Sequence, residues 1–389
     1  MIIVISNRTT KEHKINQDGY ASVKYFGEKL ADPQGISTRM AVASYSLVED
    51  LDVFDEDGEL NLSGGSPVYD WTLRPIKQNN ETALLSEVLE QVDTDKLSKK
   101  WLFFLHGNNQ TTLKNLEKCR QIEQLHDVNV IAFSWPSWGK LFSKELILKI
   151  GSKILKEGGV SKSVVVSALG SAIDIKKEKY REAVENAITS KYALHNALNK
   201  IKSEFIQPAK LSYAADFKIS LLVHSLGNRV MEYMIKDDGL NDLNDMFDNV
   251  ILHQADVNAK DHHLWVSKIK LGERVYITHN RKDAVLHISD VFGSNDKRLG
   301  HKDGGVRCTA EQVAAYIDFT KGMRVGINHG LFLMRDIFSE KTNDCFNALL
   351  SGECLFVEGH LPVGFSLREA NVFKMQKEYM VHEVEEDWP

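Results

Sequence analysis

The sequence predicts an α/β fold with a mostly parallel sheet, and three observations lead to that prediction. Short apolar runs rich in β-branched and aromatic residues recur from residue 99 onward. Stretches with helical spacing of apolar residues separate these runs, and the runs end in polar or glycine-containing turns. Such alternation is typical of βαβ units, in which the strands pair in parallel and helices flank the sheet.

The composition is that of an ordinary globular chain. Hydrophobic residues make up 43% and charged residues 26% of the 389 residues, which excludes the disordered, collagenous and membrane-spanning classes. The chain has 48 Lys and Arg against 54 Asp and Glu, a net charge of −6, so no nucleic-acid partner is expected. The four cysteines form no C-x-x-C pair, and the first residues lack the basic region of a signal peptide. We therefore expect a cytoplasmic protein.

Three parts follow one another along the chain. Residues 1–97 alternate β-like runs with polar connections, which predicts a β-rich N-terminal extension of unknown role. Residues 98–338 form the predicted core, and residues 339–389 a C-terminal extension with an acidic tail. Either extension offers a surface for a protein partner. The core strands are predicted at residues 101–105, 128–134, 218–223, 249–253, 274–279 and 313–320.

An insertion at about residues 140–210 separates the second and third core strands, where a minimal crossover needs about a dozen residues. It contains 14 Lys and Arg against seven Asp and Glu, a basic surplus that can attract anionic partners. Two interpretations stay open. The insertion is either a set of amphipathic helices packed on the core, or a helical cap that acts as a mobile lid and transiently contacts a membrane surface.

The third core strand ends in a candidate nucleophile. Ser225 lies between this strand and a helical stretch, with Gly227 two positions later. This pattern is typical of a nucleophile elbow, in which a tight turn exposes the serine hydroxyl. Val223 departs from the usual elbow, which has a small residue two positions before the serine.

The first core strand runs into a His-Gly turn at His106, where glycine lets the backbone pass close to a substrate. The backbone N–H groups of Asn108 and Leu226 are the predicted oxyanion-hole donors. We expect His106 to hold the turn by bonding backbone groups more than to take part in catalysis. Trp135 and Trp138 either pack the turn after the second strand or, with His106, line an apolar substrate pocket.

Two further residues complete a possible catalytic set. Asp283 follows the fifth core strand and His329 follows the last, which gives the chain order Ser, Asp, His. In these roles His329 takes the Ser225 proton and Asp283 fixes the tautomer of the imidazole. Asp256, after the fourth strand, is the alternative acid. No histidine cluster has a readable metal-ligand spacing, so no metal site is predicted.

Taken together, the motifs resemble those of a poorly characterised family of bacterial α/β-hydrolases with H-G-x-N-N, S-W-P-S and H-S-M-G-N-R motifs. The likeness covers roughly residues 99–335 and implies an α/β-hydrolase fold, a triad of Ser225, Asp283 and His329, and oxyanion-hole donors at Asn108 and Leu226. Leu226 stands where methionine is common in that family. The matching segments are His106-Gly107-Asn108-Asn109, Ser134-Trp135-Pro136-Ser137, His224-Ser225-Leu226-Gly227-Asn228-Arg229 and Asn328-His329-Gly330-Leu331-Phe332.

The sequence therefore predicts a serine hydrolase of the esterase or lipase kind that cleaves carboxylic esters through an acyl-enzyme, with no cofactor. The basic and apolar insertion favours a lipid or phospholipid ester over a small soluble ester. A thioester or amide fits the same residues. Two alternatives stay open: an effector hydrolase triggered in bacterial stress or phage defence, and a non-catalytic binding module on the hydrolase fold.

Overall fold

The computed structural model describes residues 1–49, 68–94, 96–137, 144–157, 161–170, 173–240, 242–292, 297–301, 314–333, 340–355, 365–369 and 372–375. Trp138, predicted to line a pocket, lies outside these residues. The strands are β1 (Ile2–Ser6), β2 (Arg8–Thr10), β3 (Phe26–Leu30), β4 (Arg39–Glu49), β5 (Val68–Ile76), β6 (Lys100–Leu105), β7 (Asn129–Ser134), β8 (Lys218–His224), β9 (Phe247–His253), β10 (Gly272–His279), β11 (Ala314–Asp318), β12 (Phe365–Glu369) and β13 (Val372–Met375).

Helices follow most of the core strands. They are α1 (Glu81–Asp93), α2 (Thr112–His126), α3 (Lys144–Glu157), α4 (Lys162–Leu169), α5 (Ile173–Thr189), α6 (Lys191–Ile201), α7 (Gln207–Tyr213), α8 (Gly227–Lys236), α9 (His263–Val266), α10 (Ala284–Phe292) and α11 (Glu340–Leu350). In the parts of the chain that the structure describes, every helix is too short or too polar to span a bilayer.

A single large sheet runs through the molecule. Its eleven strands have the order β12-β13-β11-β10-β9-β8-β6-β7-β1-β4-β5, and β2 and β3 pair separately. All pairings from β13 to β1 are parallel, whereas those at the two edges are antiparallel. The predicted α/β fold with a mostly parallel sheet is therefore confirmed, and β1 from the N-terminal region is an interior strand of this sheet.

Burial on both faces explains why the central strands are almost continuously apolar. In β6 the side chains of Phe103 and Phe104 are both fully buried, but they belong to the hydrophobic clusters on opposite faces. The cluster on one face includes residues of α1 and of α5 to α8, and the cluster on the other includes residues of α2 and α11. The carboxyl ends of the parallel strands thus meet at one edge between two helical layers.

The helical insertion has two differently packed parts. Helices α5 and α6 bury apolar residues, such as Ala183 and Leu194, in the main core beside the sheet. Helices α3 and α4 instead form a small separate cluster with α10, in which Ile150 and Ile154 pack near Ile288. Gly151 of α3 lies close to Ile327. A Cβ added to the glycine would lie 2.0 Å from Ile327 Cδ1. This second part therefore contacts the loop that carries His329.

Candidate active site

Ser225 occupies a strained turn between β8 and α8. Its φ is +54°, a left-handed conformation that is costly for a residue with a side chain. Three backbone groups hold it there: the Ser225 N–H donates to the His253 carbonyl at 3.0 Å, and the Ser225 carbonyl accepts from the Asp256 and Asn228 N–H groups at 3.0 and 3.1 Å. This geometry is typical of a nucleophile elbow.

Two glycines allow the His-Gly turn to approach the elbow. A Cβ on Gly107 would lie 2.6 Å from the Cβ of Ser225, and one on Gly227 would lie 2.6 Å from the carbonyl oxygen of His106. Both positions therefore require glycine. Val223, the departure from the usual elbow, fits fully buried in β8, and its carbonyl accepts a hydrogen bond from Asn228 Nδ2 at 2.9 Å.

The predicted oxyanion-hole donors come from these two adjoining turns. Asn108 follows Gly107, and Leu226 follows Ser225. Neither backbone N–H donates a hydrogen bond to any residue that the structure describes. Unpaired backbone donors next to a nucleophile are the groups that stabilise a developing oxyanion.

His329 and Asp283 are in direct contact. Nδ1 of His329 lies 2.6 Å from Oδ2 of Asp283, and the carboxylate is fully buried. Because a carboxylate only accepts, Nδ1 carries the proton in this contact and Nε2 is left as the basic nitrogen. The ring centre of His329 lies 4.7 Å from that of His224, the residue before Ser225. The candidate base and the candidate nucleophile thus lie on adjoining loops.

The Asp283 carboxylate is held by three further donors. Asp283 immediately precedes α10, and its Oδ1 accepts from the N–H groups of Val285 and Leu286 at 2.9 and 3.1 Å, as a helix N-cap does. Oδ2 also accepts from Gln254 Nε2 at 2.8 Å. These bonds fix the orientation of the oxygen that contacts His329.

Gln254 connects the loop that carries Asp283, here called the acid loop, with the loop that carries His329. Its Nε2 also donates to the carbonyl of Asn328 at 2.8 Å, and its Oε1 accepts from the N–H of Gly330 at 2.5 Å. It therefore holds the residues on either side of His329 while it contacts Asp283. The sequence analysis missed this residue, because a glutamine that follows a buried strand has no motif that distinguishes it.

Asp256, the alternative acid, belongs to a different network. Its Oδ1 accepts from Ser289 Oγ at 2.6 Å and lies 3.0 Å from Arg298 Nε, and its Oδ2 accepts from Tyr180 Oη at 3.1 Å. The residue connects α5, α10 and the segment at 297–301. Asp283 is the one of the two carboxylates that contacts His329.

His106 and Trp135 hold the His-Gly turn in place. The Trp135 N–H donates to His106 Nε2 at 3.1 Å, so Nδ1 carries the proton and donates to the Gly107 carbonyl at 2.8 Å. Trp135 Nε1 in turn donates to the His106 carbonyl at 2.8 Å. Burial lowers the pKa of His106 well below its ordinary value. Neither side chain has exposed surface. The two rings therefore pack the turn and do not line an open pocket.

Two more neutral histidines lie beneath the candidate base. His224 and His253 stack at 5.7 Å and contact the ring of Phe332. Burial lowers the pKa of both well below the ordinary value, and the neighbouring His329 lowers both further. The ring of His224, which lies next to His329, is therefore uncharged.

A buried arginine from the N-terminal region holds the segments that follow β6 and β7. Arg8 is 1% exposed, and its guanidinium donates to the carbonyls of Gln110 and Trp135 at 2.8 and 2.5 Å and to Ser134 Oγ at 3.1 Å. Burial lowers the pKa of Arg8 to about 10. The sequence analysis found no motif in this region, although the polar residues Asn7 and Arg8 directly after a buried strand were a readable signal.

Comparison with known families identifies the family of the chain. Residues 80–341 match the family described as Alpha/beta hydrolase of unknown function (DUF900), which is more than half of the chain and includes Ser225, Asp283 and His329. The chain therefore belongs to this family of α/β hydrolases. No curated protein and no solved structure was found that matches it.

Proposed function

We propose that this α/β hydrolase is a serine hydrolase that cleaves carboxylic esters through an acyl-enzyme. The observation that carries the proposal is the 2.6 Å contact between His329 Nδ1 and Asp283 Oδ2, on a loop adjoining the strained turn of Ser225. A buried carboxylate that fixes one ring nitrogen leaves the other as a base for a serine hydroxyl.

The mechanism follows from these roles. Ser225 Oγ attacks the ester carbonyl while His329 Nε2 takes its proton, and Asp283 stabilises the resulting imidazolium. The negative oxygen of the tetrahedral intermediate binds the N–H groups of Asn108 and Leu226. Collapse of the intermediate breaks the ester C–O bond, and His329 returns the proton to the leaving alcohol. Water, deprotonated by His329, then attacks the acyl-enzyme. The bond between Ser225 Oγ and the acyl group breaks, His329 returns the proton to Ser225, and the acid is released.

An amphiphilic ester, such as a lipid or phospholipid, is the substrate class that the insertion favours. Helix α3 exposes about half of the side chains of Leu148 and Leu155, and Lys149 and Lys153 on the same helix are also exposed. Exposed leucines among lysines suit an apolar chain with an anionic head group or surface. Since α3 packs against Ile327, two residues before His329, such a substrate would meet the helix beside the reacting groups.

Hydrolysis of p-nitrophenyl esters by the full chain tests the proposal. The expected result is a burst of p-nitrophenol close to one equivalent, followed by a slower steady state, and loss of both in Ser225→Ala. Ser86→Ala, a change of an exposed serine on α1, is the matched control and should keep full activity. Ester hydrolysis that persists in Ser225→Ala would contradict the assigned nucleophile.

A further inference from the structure

Two histidines and an aspartate form a buried cluster behind the acid loop. His287 and Asp290 lie three residues apart on α10 and so share a helix face, and His301 comes from the segment after that helix. The three side chains are 8%, 4% and 6% exposed. One ligand atom from each lies within 4.8 Å of the other two, which is the spacing of groups that share a metal ion.

One backbone carbonyl group orients both imidazole rings. The backbone oxygen of Arg281 lies 2.5 Å from His301 Nε2 and 3.2 Å from His287 Nε2. Because a carbonyl only accepts, both Nε2 atoms carry protons, and the neutral rings keep their lone pairs on Nδ1. Metal-binding histidines are commonly oriented in this way, with the second ring nitrogen donating to a backbone carbonyl.

Nδ1 of His301, the nitrogen that faces Asp290, accepts no hydrogen bond from the described residues. This nitrogen is buried and lies 3.5 Å from Asp290 Oδ2. A buried nitrogen acceptor that faces a carboxylate oxygen is unfavourable unless a cation or an added proton lies between them. We propose that His287, Asp290 and His301 bind a divalent metal ion of the zinc type.

The donor set selects this class of metal. Two imidazole nitrogens and one carboxylate oxygen are ligands that Zn²⁺ prefers, with a fourth position left for water. Mg²⁺ prefers oxygen ligands alone and should bind poorly. The proposed ester chemistry does not require this metal ion, so the metal site does not depend on that proposal.

A lysine is the competing cation. Lys297 Nζ lies 2.8 Å from Asp290 Oδ2, but about half of its side chain is exposed and can turn into solvent. Oδ1 of Asp290 accepts from the Arg298 N–H at 3.1 Å and would keep that bond. Binding of the metal would therefore displace Lys297 and leave the carboxylate in place.

The metal would stabilise the segment that presents Asp283. The Arg281 carbonyl, which both imidazoles contact, lies two residues before Asp283, and the N–H of His287 donates to the Asp283 carbonyl at 3.1 Å. A metal ion that joins α10 to His301 would thus rigidify the acid loop. Its expected effect is a higher thermal midpoint.

Titration calorimetry of the metal-free full chain with Zn²⁺ tests the site. The wild-type chain should bind one equivalent and gain several degrees in its thermal midpoint, whereas Mg²⁺ should do neither. His287→Ala and His301→Ala should each weaken Zn²⁺ binding by at least about tenfold. Lys297→Gln should tighten it, because the competing cation is gone, and His13→Ala, at an exposed histidine, should leave it unchanged.

Three results would overturn the inference. They are no Zn²⁺ binding by the wild-type chain, binding that survives both histidine changes, and a Lys297→Gln chain that binds no tighter than wild type. The first result would mean that a proton on His301 Nδ1, and not a metal ion, lies between His301 and Asp290. If a histidine variant does not fold, Lys297→Gln and the visible spectrum of the Co²⁺-loaded wild-type chain still decide the matter, since imidazole ligation in a tetrahedral site gives intense bands.

Discussion

At the scale of single residues, the two candidate acids differ in their partners and not in their burial. Both Asp283 and Asp256 follow core strands and are nearly fully buried. Asp283 contacts His329, whereas Asp256 pairs with Arg298 and accepts from Tyr180. Strand order in the sequence favoured Asp283 and left Asp256 as the alternative, because the contact that separates them depends on which loops pack together.

Changing each acid to asparagine separates their roles. Asp283→Asn should lower kcat for ester hydrolysis by about 10³-fold or more, because the imidazole loses its fixed tautomer. Asp256→Asn should leave Arg298 without a buried counter-charge and destabilise the fold by about 3 kcal/mol. Its kcat, measured below its own thermal midpoint, should stay within about tenfold of wild type. The reverse pattern would make Asp256 the catalytic acid.

The residue-level prediction from sequence was strongest where chemistry imposes a motif. Gly107 and Gly227 were readable because no side chain fits where they approach the elbow. Gln254 and Arg8 were not, since their importance arises from contacts between distant loops. The histidine cluster on α10 was missed for the same reason: Asp290 and His301 are eleven residues apart, with no recognisable ligand spacing.

At the scale of elements, α3 and α4 differ from the other helices of the insertion. Sequence patterning predicted amphipathic helices over residues 140–210, but it could not say which of them pack beside the sheet. Helices α5 and α6 do so, while α3 packs on α10 and Ile327 and exposes Leu148 and Leu155. The exposed apolar surface on α3 is the feature on which the proposed preference for amphiphilic esters rests.

Polar replacements on α3 test that connection. The double change Leu148→Ser and Leu155→Ser should lower kcat/KM for long-chain esters by about 30-fold or more, because each leucine loses about 1 to 2 kcal/mol of apolar contact with the chain. Hydrolysis of short-chain esters should change little. Leu211→Ser, at a leucine of α7 that is 87% exposed, is the matched control. Equal losses for short and long chains would remove the assigned role of α3.

At the scale of the whole molecule, the N-terminal region is part of the scaffold of the site. Strand β1 pairs in parallel with β7, and Arg8 just beyond it holds the turn after β7. The sequence predicted the core strands within a few residues, since buried parallel strands are apolar on both faces. Within the predicted β-rich extension, residues 23–25 form a helical turn, and β3 starts at Phe26.

The buried neutral histidines predict loss of stability in acid. Burial lowers the folded-state pKa of His106, His224 and His253, so the unfolded chain binds more protons once the pH falls below about 6.5. Stability should be full above that pH and should fall as the pH drops toward the folded pKa values. Each ring that is protonated only in the unfolded chain should lower the free energy of unfolding by about 1.4 kcal/mol for every further drop of one in pH. Thermal midpoints between pH 8 and pH 4.5 measure this.

A variant pair isolates the contribution of one ring. His253→Gln should flatten the acid limb of the stability curve, whereas His13→Gln, at an exposed histidine, should leave its slope unchanged. If the slope is the same in wild type and His253→Gln, this ring does not contribute to the pH dependence.

Labelling with a fluorophosphonate probe is the most direct measurement of the central claim, that Ser225 is a nucleophile activated by His329. The probe should attach to the wild-type chain, and peptide mass spectrometry should find the adduct on Ser225. Ser225→Ala should not be labelled, and His329→Ala should be labelled at least about 10²-fold more slowly. A folded wild-type chain that stays unlabelled, or an adduct on another residue, would contradict the account.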